Sequence, residues 1–517
     1  MTRYKKIILK SCCLIATAFL VFGCHDKPGW AVSRPLNEAV ISGMDSVYLI
    51  GPQDRLSIFP QVSFTLDTGV SDLGRYEYEW IFLIRPSYGI TFDYETIGTG
   101  ESLVDYDISR ISRGSMGPYD FVYRVHDTYT DTFTEWPFRV VIANDYYEGW
   151  VILNEVLQGS RVDMLSYSIP NDSFVYLKDV VDFSSHGAVS GGMPIFIDQV
   201  FGYNGPLNLG GILVGTDKDL IAYGSVDLVI AEAYYQSYDA LKTVPDSAKS
   251  GVGFHGALYK QFLQVNDAVY ECDEGAMIQR MPFKPISLRL SPTAVIQQFP
   301  ASKFAAIDIR NPYGITVLFD EAADEFVWYS TEIGHCSGLV AANNFDHQLK
   351  WTLLYLEHSR YGGGQYTALL KEDSTGTLYF TRFTAYDQLE FSQVDKQSSL
   401  YIADRMALDP NTGGFYFSVD KDVFTYEDGV AQRVHAFEDE ITMLKFNRFV
   451  MLIEFVTGAT VNKDRYQQYE NHLLIATHNP AQPEDSGKLL LFDLERKSVS
   501  QQFDGFSKII DVTYKER

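Results

Sequence analysis

The sequence predicts an all-β protein: a β-sandwich over residues 45–145, then a β-propeller over 146–517, with seven blades the expected number. Three observations predict it. Tyr and Phe are abundant, 34 of each, while helical spacing of apolar residues is scarce. Apolar residues alternate with polar ones on both sides of Asp- and Gly-containing turns. Paired runs of this kind also recur at nearly regular intervals through the last two thirds of the chain. The few helical candidates are short, such as Ser237 to Thr243.

The sandwich is read from its strands. Val47 to Ile50, Leu56 to Phe59 and Tyr76 to Ile84 are strand-like. Tyr119, Phe121, Tyr123 and Val125 alternate, Asp127 to Asp131 supplies a turn, and Trp136, Phe138, Val140 and Ile142 alternate on the way back. Period-two apolarity on both arms gives each strand one buried face, as an antiparallel hairpin over a core requires. Trp80 is the expected large core residue.

In the propeller region seven hairpins are expected. They join Trp150–Asn154 to Met164–Leu165, Gly211–Val214 to Leu220–Tyr223, Ala268–Tyr270 to Met277–Ile278, and Ile315–Phe319 to Phe326–Tyr329. The remaining three join Tyr366–Leu370 to Leu378–Phe380, Phe415–Val419 to Val423–Tyr426, and His472–Ala476 to Leu489–Phe492. Turn centres near 158, 217, 273, 322, 374, 421 and 485 lie about 47 to 64 residues apart. Four-stranded blades repeat roughly every 40–50 residues, so these blades carry loop insertions. The alternative is a pair of unrelated sandwiches.

The N-terminus has the three parts of an export signal. Arg3, Lys5, Lys6 and Lys10 are basic, and Ser11 to Phe22 is an uncharged run of twelve. Such a run is short of the roughly 20 residues that span a bilayer. Val21-Phe22-Gly23-Cys24 resembles a lipobox, so residues 1–23 are expected to be removed and Cys24 lipidated, anchoring the chain in a membrane. Residues 24–44 then form a polar tether. Removing 1–23 deletes four basic residues and no acidic ones, taking the formal charge from −25 to −29. A polyanion of that size repels nucleic acid. Past Cys24 only Cys272 and Cys336 remain, and whether they pair is open from sequence.

Motifs for chemistry are sparse. The chain has no HExxH, Walker A or Cys-x-x-Cys pattern. Gly334-His335-Cys336-Ser337-Gly338 has the outline of a nucleophile elbow, but it lacks the helix start that would lower a thiol pKa, so a buried cysteine in a turn is expected. Asp409-Pro410-Asn411-Thr412-Gly413-Gly414, with Asp420, partly echoes a calcium loop, but position five is Gly and position twelve Asp, so a tight turn is expected. The ten histidines are dispersed. No metal or other cofactor is expected. Catalytic carboxylate pairs are defined by spatial separation, which sequence does not supply.

Aromatic residues beside glycines are the candidate ligand contacts. Tyr234, Tyr235 and Tyr238 cluster, Phe201 and Tyr203 bracket Gly202, and Tyr361 and Tyr366 flank Gly362-Gly363-Gly364. Such residues form platforms for sugar rings or peptide side chains, or else pack in a core.

Gly117-Pro118-Tyr119-Asp120-Phe121 leading to Val125-His126-Asp127, with Trp80 earlier, resembles a PKD domain, an immunoglobulin-like sandwich. With the lipobox before it and the β-rich region after it, the chain resembles the PKD-like lipoproteins of Bacteroidota. That resemblance implies lipid attachment at the outer membrane, with the cell surface favoured over the periplasmic face. It also implies a role beside SusC- and SusD-like nutrient-uptake proteins. His25-Asp26-Lys27 lacks a clear acidic cluster for surface export. The function expected is non-catalytic, either binding of glycan or peptide or scaffolding. The alternatives are a polysaccharide hydrolase or lyase, with carboxylates or histidines converging at the channel mouth, and a structural partner with a large apolar patch.

Overall fold

A computed structural model describes residues 37–516, apart from 67–73, 85–92, 109–118, 182–191, 201–210, 225–251, 274–283, 340–348, 451–462 and stretches of one to four residues elsewhere. Cys24, Tyr203, Tyr234, Tyr235, Tyr238 and the segment 237–243 lie outside the described residues. The described chain is strand throughout, with one α-helix, Lys463–Glu470, and two short 3-10 turns. Among the described residues no helix is long and apolar enough to cross a membrane.

The N-terminal hairpin forms as its alternation predicts. Tyr119–Asp127 pairs with Thr132–Ile142, and Tyr76–Ile84 lies on its other side. Phe121, Tyr123 and Val125 are buried, with less buried residues between them. Trp80 is fully buried, its indole N–H donating 2.8 Å to Gly100 O, and it packs on Tyr123 and Phe138. Val47–Ile50 completes this face in parallel with Thr132–Ile142. The stretch read as tether is partly structured: Ala39–Ser42 pairs with Gln61–Phe64, burying Ile41 in the sandwich core. Alternation over four residues was too short to mark that strand.

Among the described residues, the strands after 148 fall into seven sheets. Sheet 1 runs Lys508–Lys515, Gly149–Val156, Gly159–Ser168, Ser173–Leu177 from its inner to its outer edge. Sheet 2 begins at Pro194–Val200, sheet 3 at Val252–Ala257, sheet 5 at Trp351–Ser359, sheet 6 at Arg405–Leu408 and sheet 7 at Glu440–Phe446. In sheet 4 the bridges Ala301 to Asp320 and Ala306 to Val317 line the inner edge of Thr316–Asp320. These first strands neighbour one another: Pro194–Val200 lies against both Lys508–Lys515 and Val252–Ala257, and Glu440–Phe446 against both Arg405–Leu408 and Lys508–Lys515.

Apolar packing joins neighbouring sheets. Val151, Met164, Ile197 and Val214 share a core between sheets 1 and 2, and Leu444, Ile475, Ala407 and Val423 between sheets 7 and 6. Trp150 and Tyr514 of sheet 1 pack with Leu474 and Leu489 of sheet 7. The arrangement is propeller-like, and the last strand of the chain completes the first sheet.

Six of the seven expected hairpins form where alternation placed them, as neighbouring strands of their sheets. The third differs. Ala268–Asp273 pairs with Lys260–Val265 before it and Lys284–Pro285 after it, and Met277–Ile278 lies outside the described residues. Many tight turns rest on Asp in the left-handed region, and eight of the nine described non-Gly residues with positive φ are Asp, including Asp131, Asp324, Asp420 and Asp485. Asp tolerates that conformation because its short side chain bonds locally, so part of the acidic excess belongs to turns. Gly149 starts the ring at φ 145°, where a Cβ would lie 2.0 Å from Leu165 O.

Trp80→Ala is expected to destabilise the sandwich by about 3–5 kcal/mol, the usual cost of emptying a buried aromatic site. The check is calorimetry of the whole chain, in which one transition moves down and the ring's does not.

Candidate functional site

Among the described residues, segments that follow the first strands of sheets 1, 4, 5, 6 and 7 meet one another. Arg310 follows the inner edge of sheet 4, and Arg360 and Tyr361 follow Trp351–Ser359 of sheet 5. Asp409 to Gly414 follows Arg405–Leu408 of sheet 6, and Asn447 to Asn471, including the helix, follows Glu440–Phe446 of sheet 7. Glu516 follows the closing strand of sheet 1.

Hydrogen bonds tie these loops together. The carboxylate of Glu470, at the end of the helix, is buried and accepts from Arg310 Nη2 at 3.0 and 3.1 Å and from the Phe449 N–H at 3.3 Å. It also pairs with Arg360 Nη2 at 2.7 Å and accepts from Asn411 Nδ2 at 3.4 Å. Arg360 Nη2 donates in addition to Asn411 Oδ1 at 2.6 Å, and Asn411 Nδ2 donates to Asn471 Oδ1 at 2.9 Å. Arg448 Nη2 donates to His358 O at 2.6 Å and pairs with Glu357 Oε1 at 2.7 Å. The Val450 N–H donates to Glu516 Oε1, and Glu516 exchanges backbone bonds with the Gln199 amide of sheet 2.

A carboxylate removed from water needs partners of this number and geometry to remain charged. Burial lowers the Arg360 guanidinium below its ordinary value, and Arg310 and Arg448 push the same way against the attraction of Glu470. On sheet 7, Lys445 pairs with Asp511 at 2.9 Å. Burial alone would lower its pKa, but Asp511, Asp198 and Glu357 outweigh burial and raise it.

His358 is 6% exposed and stacks near Tyr366, with Gly364 so close that a Cβ would lie 3.2 Å from His358 Nε2. Burial holds its pKa down to about 4, helped by Arg448 and Arg360 and opposed by Asp308. It is therefore a neutral imidazole at pH 7 and a weak base.

The two tyrosines flanking the triple glycine part company. Tyr361 is 55% exposed on a 3-10 turn, and Gly413 packs beneath it, where a Cβ would lie 3.3 Å from Tyr361 Cβ. Tyr366 is a core residue, 6% exposed, stacked on Phe383 with its hydroxyl donating to Ile315 O at 2.9 Å. It cannot serve as a ligand platform, because the ring is buried and its hydroxyl is already used.

The remaining motifs are structural. Cys336 is a free, buried thiol in Cys336–Gly338, and burial pushes its pKa up to about 12, opposite to what a nucleophile needs. Asp409 accepts from the N–H groups of Asn411 and Thr412 and from the Thr412 hydroxyl, closing the tight turn expected there. Sequence reasoning missed Arg310, Arg360, Arg448 and Glu470, and read Asn411 only as part of a tight turn. They are up to 160 residues apart, and no local spacing announces them.

With this geometry in view, comparison with known proteins bears on the N-terminal part. Residues 24–194 match the PKD-like family. That span takes in the sandwich and the first strands of sheet 1. No curated protein matches the chain. Similar solved structures include a quinonprotein alcohol dehydrogenase-like protein from Bacteroides thetaiotaomicron, at 11% identity and TM-score 0.41, covering 91% of this chain and 97% of that one. Another is a protein from Bacteroides caccae, at 9% identity and TM-score 0.31, covering 92% and 98%.

Two outcomes are expected. Glu470→Ala leaves the half-buried Arg310 and Arg360 without their shared carboxylate, and should lower stability to urea by about 1–3 kcal/mol. His358 has a folded pKa below its unfolded value of 6.5, so the unfolded chain binds the extra proton between those values. Stability should therefore fall as pH drops from 6.5 to 4, by up to about 3 kcal/mol, and a His358→Gln chain should lose less over that window.

Proposed function

We propose that this chain is a non-catalytic binding lipoprotein of the cell envelope, recognising glycan or peptide at the loop end that carries Tyr361. The observation that carries this reading is the pairing of exposed and committed groups at that end. Tyr361 presents an open ring on a glycine-built turn, while the half-buried Glu357 and the buried Glu470 are each bound by guanidinium groups. Acids held in that way fix the loops that carry their arginine partners. A tyrosine ring offers apolar area with few rotatable bonds to lose, which suits stacking against a sugar or side chain.

In this reading the ring is a seven-bladed propeller that presents its loops, and the sandwich spaces it from the anchor. The lipobox at Val21 to Cys24 supports lipidation of Cys24 and attachment at the outer membrane. The PKD-like match supports, by resemblance, a place facing the cell surface beside SusC- and SusD-like uptake proteins.

Glycan-array and peptide-array binding by the mature chain tests the recognition. Tyr361→Ala should weaken binding at least tenfold, about 1.4 kcal/mol, while Tyr366→Phe should change stability and leave affinity alone. A chain that retains no glycan and no peptide would point to scaffolding instead. Labelling with a palmitate analogue tests the anchor: the wild-type chain should take up label and a Cys24→Ser chain should not.

A further inference from the structure

Resting on that binding reading, we infer that the Tyr361 site takes a sugar bearing a carboxylate, a uronic acid unit of an acidic glycan, held by Arg360 and Arg448 while its ring stacks on Tyr361. The argument is one of unspent donors. A guanidinium carries five N–H groups arranged as forks that fit a carboxylate. Arg360 spends only Nη2, on Glu470 and Asn411, and Arg448 spends only Nη2, on His358 O and Glu357. Their Nε and Nη1 groups have no hydrogen-bond partner among the described residues. Both side chains nevertheless keep some access to solvent, 22% and 16%. Charged donors in so confined a place gain from a charged acceptor more than from a neutral one.

The charges point the same way. Arg310, Arg360 and Arg448 meet two ion-paired carboxylates, Glu470 and Glu357. Asp308 adds a third acid nearby, but it accepts from the backbone N–H of Arg310 and influences His358, and it forms no ion pair with a guanidinium among the described residues. A ligand carboxylate would give the three guanidiniums a third acid in direct contact.

Loop 409–414 sets the two halves of the site side by side. Asn411 holds Arg360, and two residues on Gly413 packs under Tyr361. An apolar ring next to a fork of charged donors matches a pyranose with one carboxylate on its edge. A peptide C-terminus offers the carboxylate without the flat ring.

The test is calorimetric titration of the mature chain with tri-galacturonate, its methyl ester, and neutral galactotriose. The acid should bind about tenfold or more tighter than the ester, a preference of the size expected when a charged acceptor meets arginine, and the preference should shrink in high salt. Arg360→Gln should remove the preference. Should that variant fail to fold, Arg448→Gln and the salt series carry the same test, and Tyr361→Ala, at an exposed position, should weaken acid and ester together. Equal affinity for acid and ester would overturn the acidic preference while leaving glycan binding standing. So would tight binding of a free peptide C-terminus with none of tri-galacturonate. Absence of binding to any sugar or peptide would overturn the binding reading as well.

Discussion

The pairing of Lys508–Lys515 with Gly149–Val156 is the constraint on which the ring depends. Residues more than 350 positions apart lie in register, from Gly149 opposite Lys515 to Glu155 opposite Lys508. Without that pairing sheet 1 loses its inner strand, and sheets 7 and 1 lose much of the core around Trp150 and Tyr514. The pairing lets these two sheets pack their apolar faces against each other. Its cost is kinetic, since a contact of such sequence separation forms only after the chain between has been brought together. The strand is fixed at more than its ladder: Asp511 accepts from Lys445, and Asn447 accepts from the Tyr514 N–H, both from sheet 7.

The same strand also organises the loop end. Lys515 Nζ donates to the carbonyls of Tyr146 and Tyr147, the residues that lead from the sandwich into the ring. Burial brings its pKa down to about 7 against the pull of Glu148. Glu148 in turn takes the hydroxyl of Tyr514 and the guanidinium of Arg465 on the helix. Chain entry, chain exit and the helix that supplies Glu470 are thus joined by one buried network, next to the loops that hold Arg360 and Tyr361. In a chain this acidic, buried carboxylates such as Glu148, Asp163 and Glu470 are met by guanidinium groups, while other aspartates sit at turns that need left-handed backbone.

The hairpins were legible in the sequence because their turns are short and marked by Asp or Gly, as at Asp373 to Gly376 and Asp420. The first strand of each sheet was not legible. Segments of varied length separate it from its neighbour, such as the 25 residues 447–471 between Glu440–Phe446 and His472–His478. Outer strands such as Val430–Ala436 are largely solvent-facing, so they show little apolar alternation. The helix Lys463–Glu470 is polar, with Tyr466 and Tyr469 on its buried side, and gave no amphipathic signal of useful length. For the site, glycine spacing located the turn that exposes Tyr361, but it counted Tyr366 with it, although Tyr366 begins the apolar run to Leu370 and belongs to that strand. The arginine and glutamate partners came into view only with the topology that makes distant loops neighbours.

Native-state hydrogen exchange of the closing strand tests the central claim most directly. If Lys508–Lys515 holds the ring shut, its buried amides and those of Trp150 to Leu153 exchange only through global opening, with free energies equal within about 1 kcal/mol. Exchange of the closing strand at a markedly lower free energy than its partner would show that the ring stands without it, and would contradict the account.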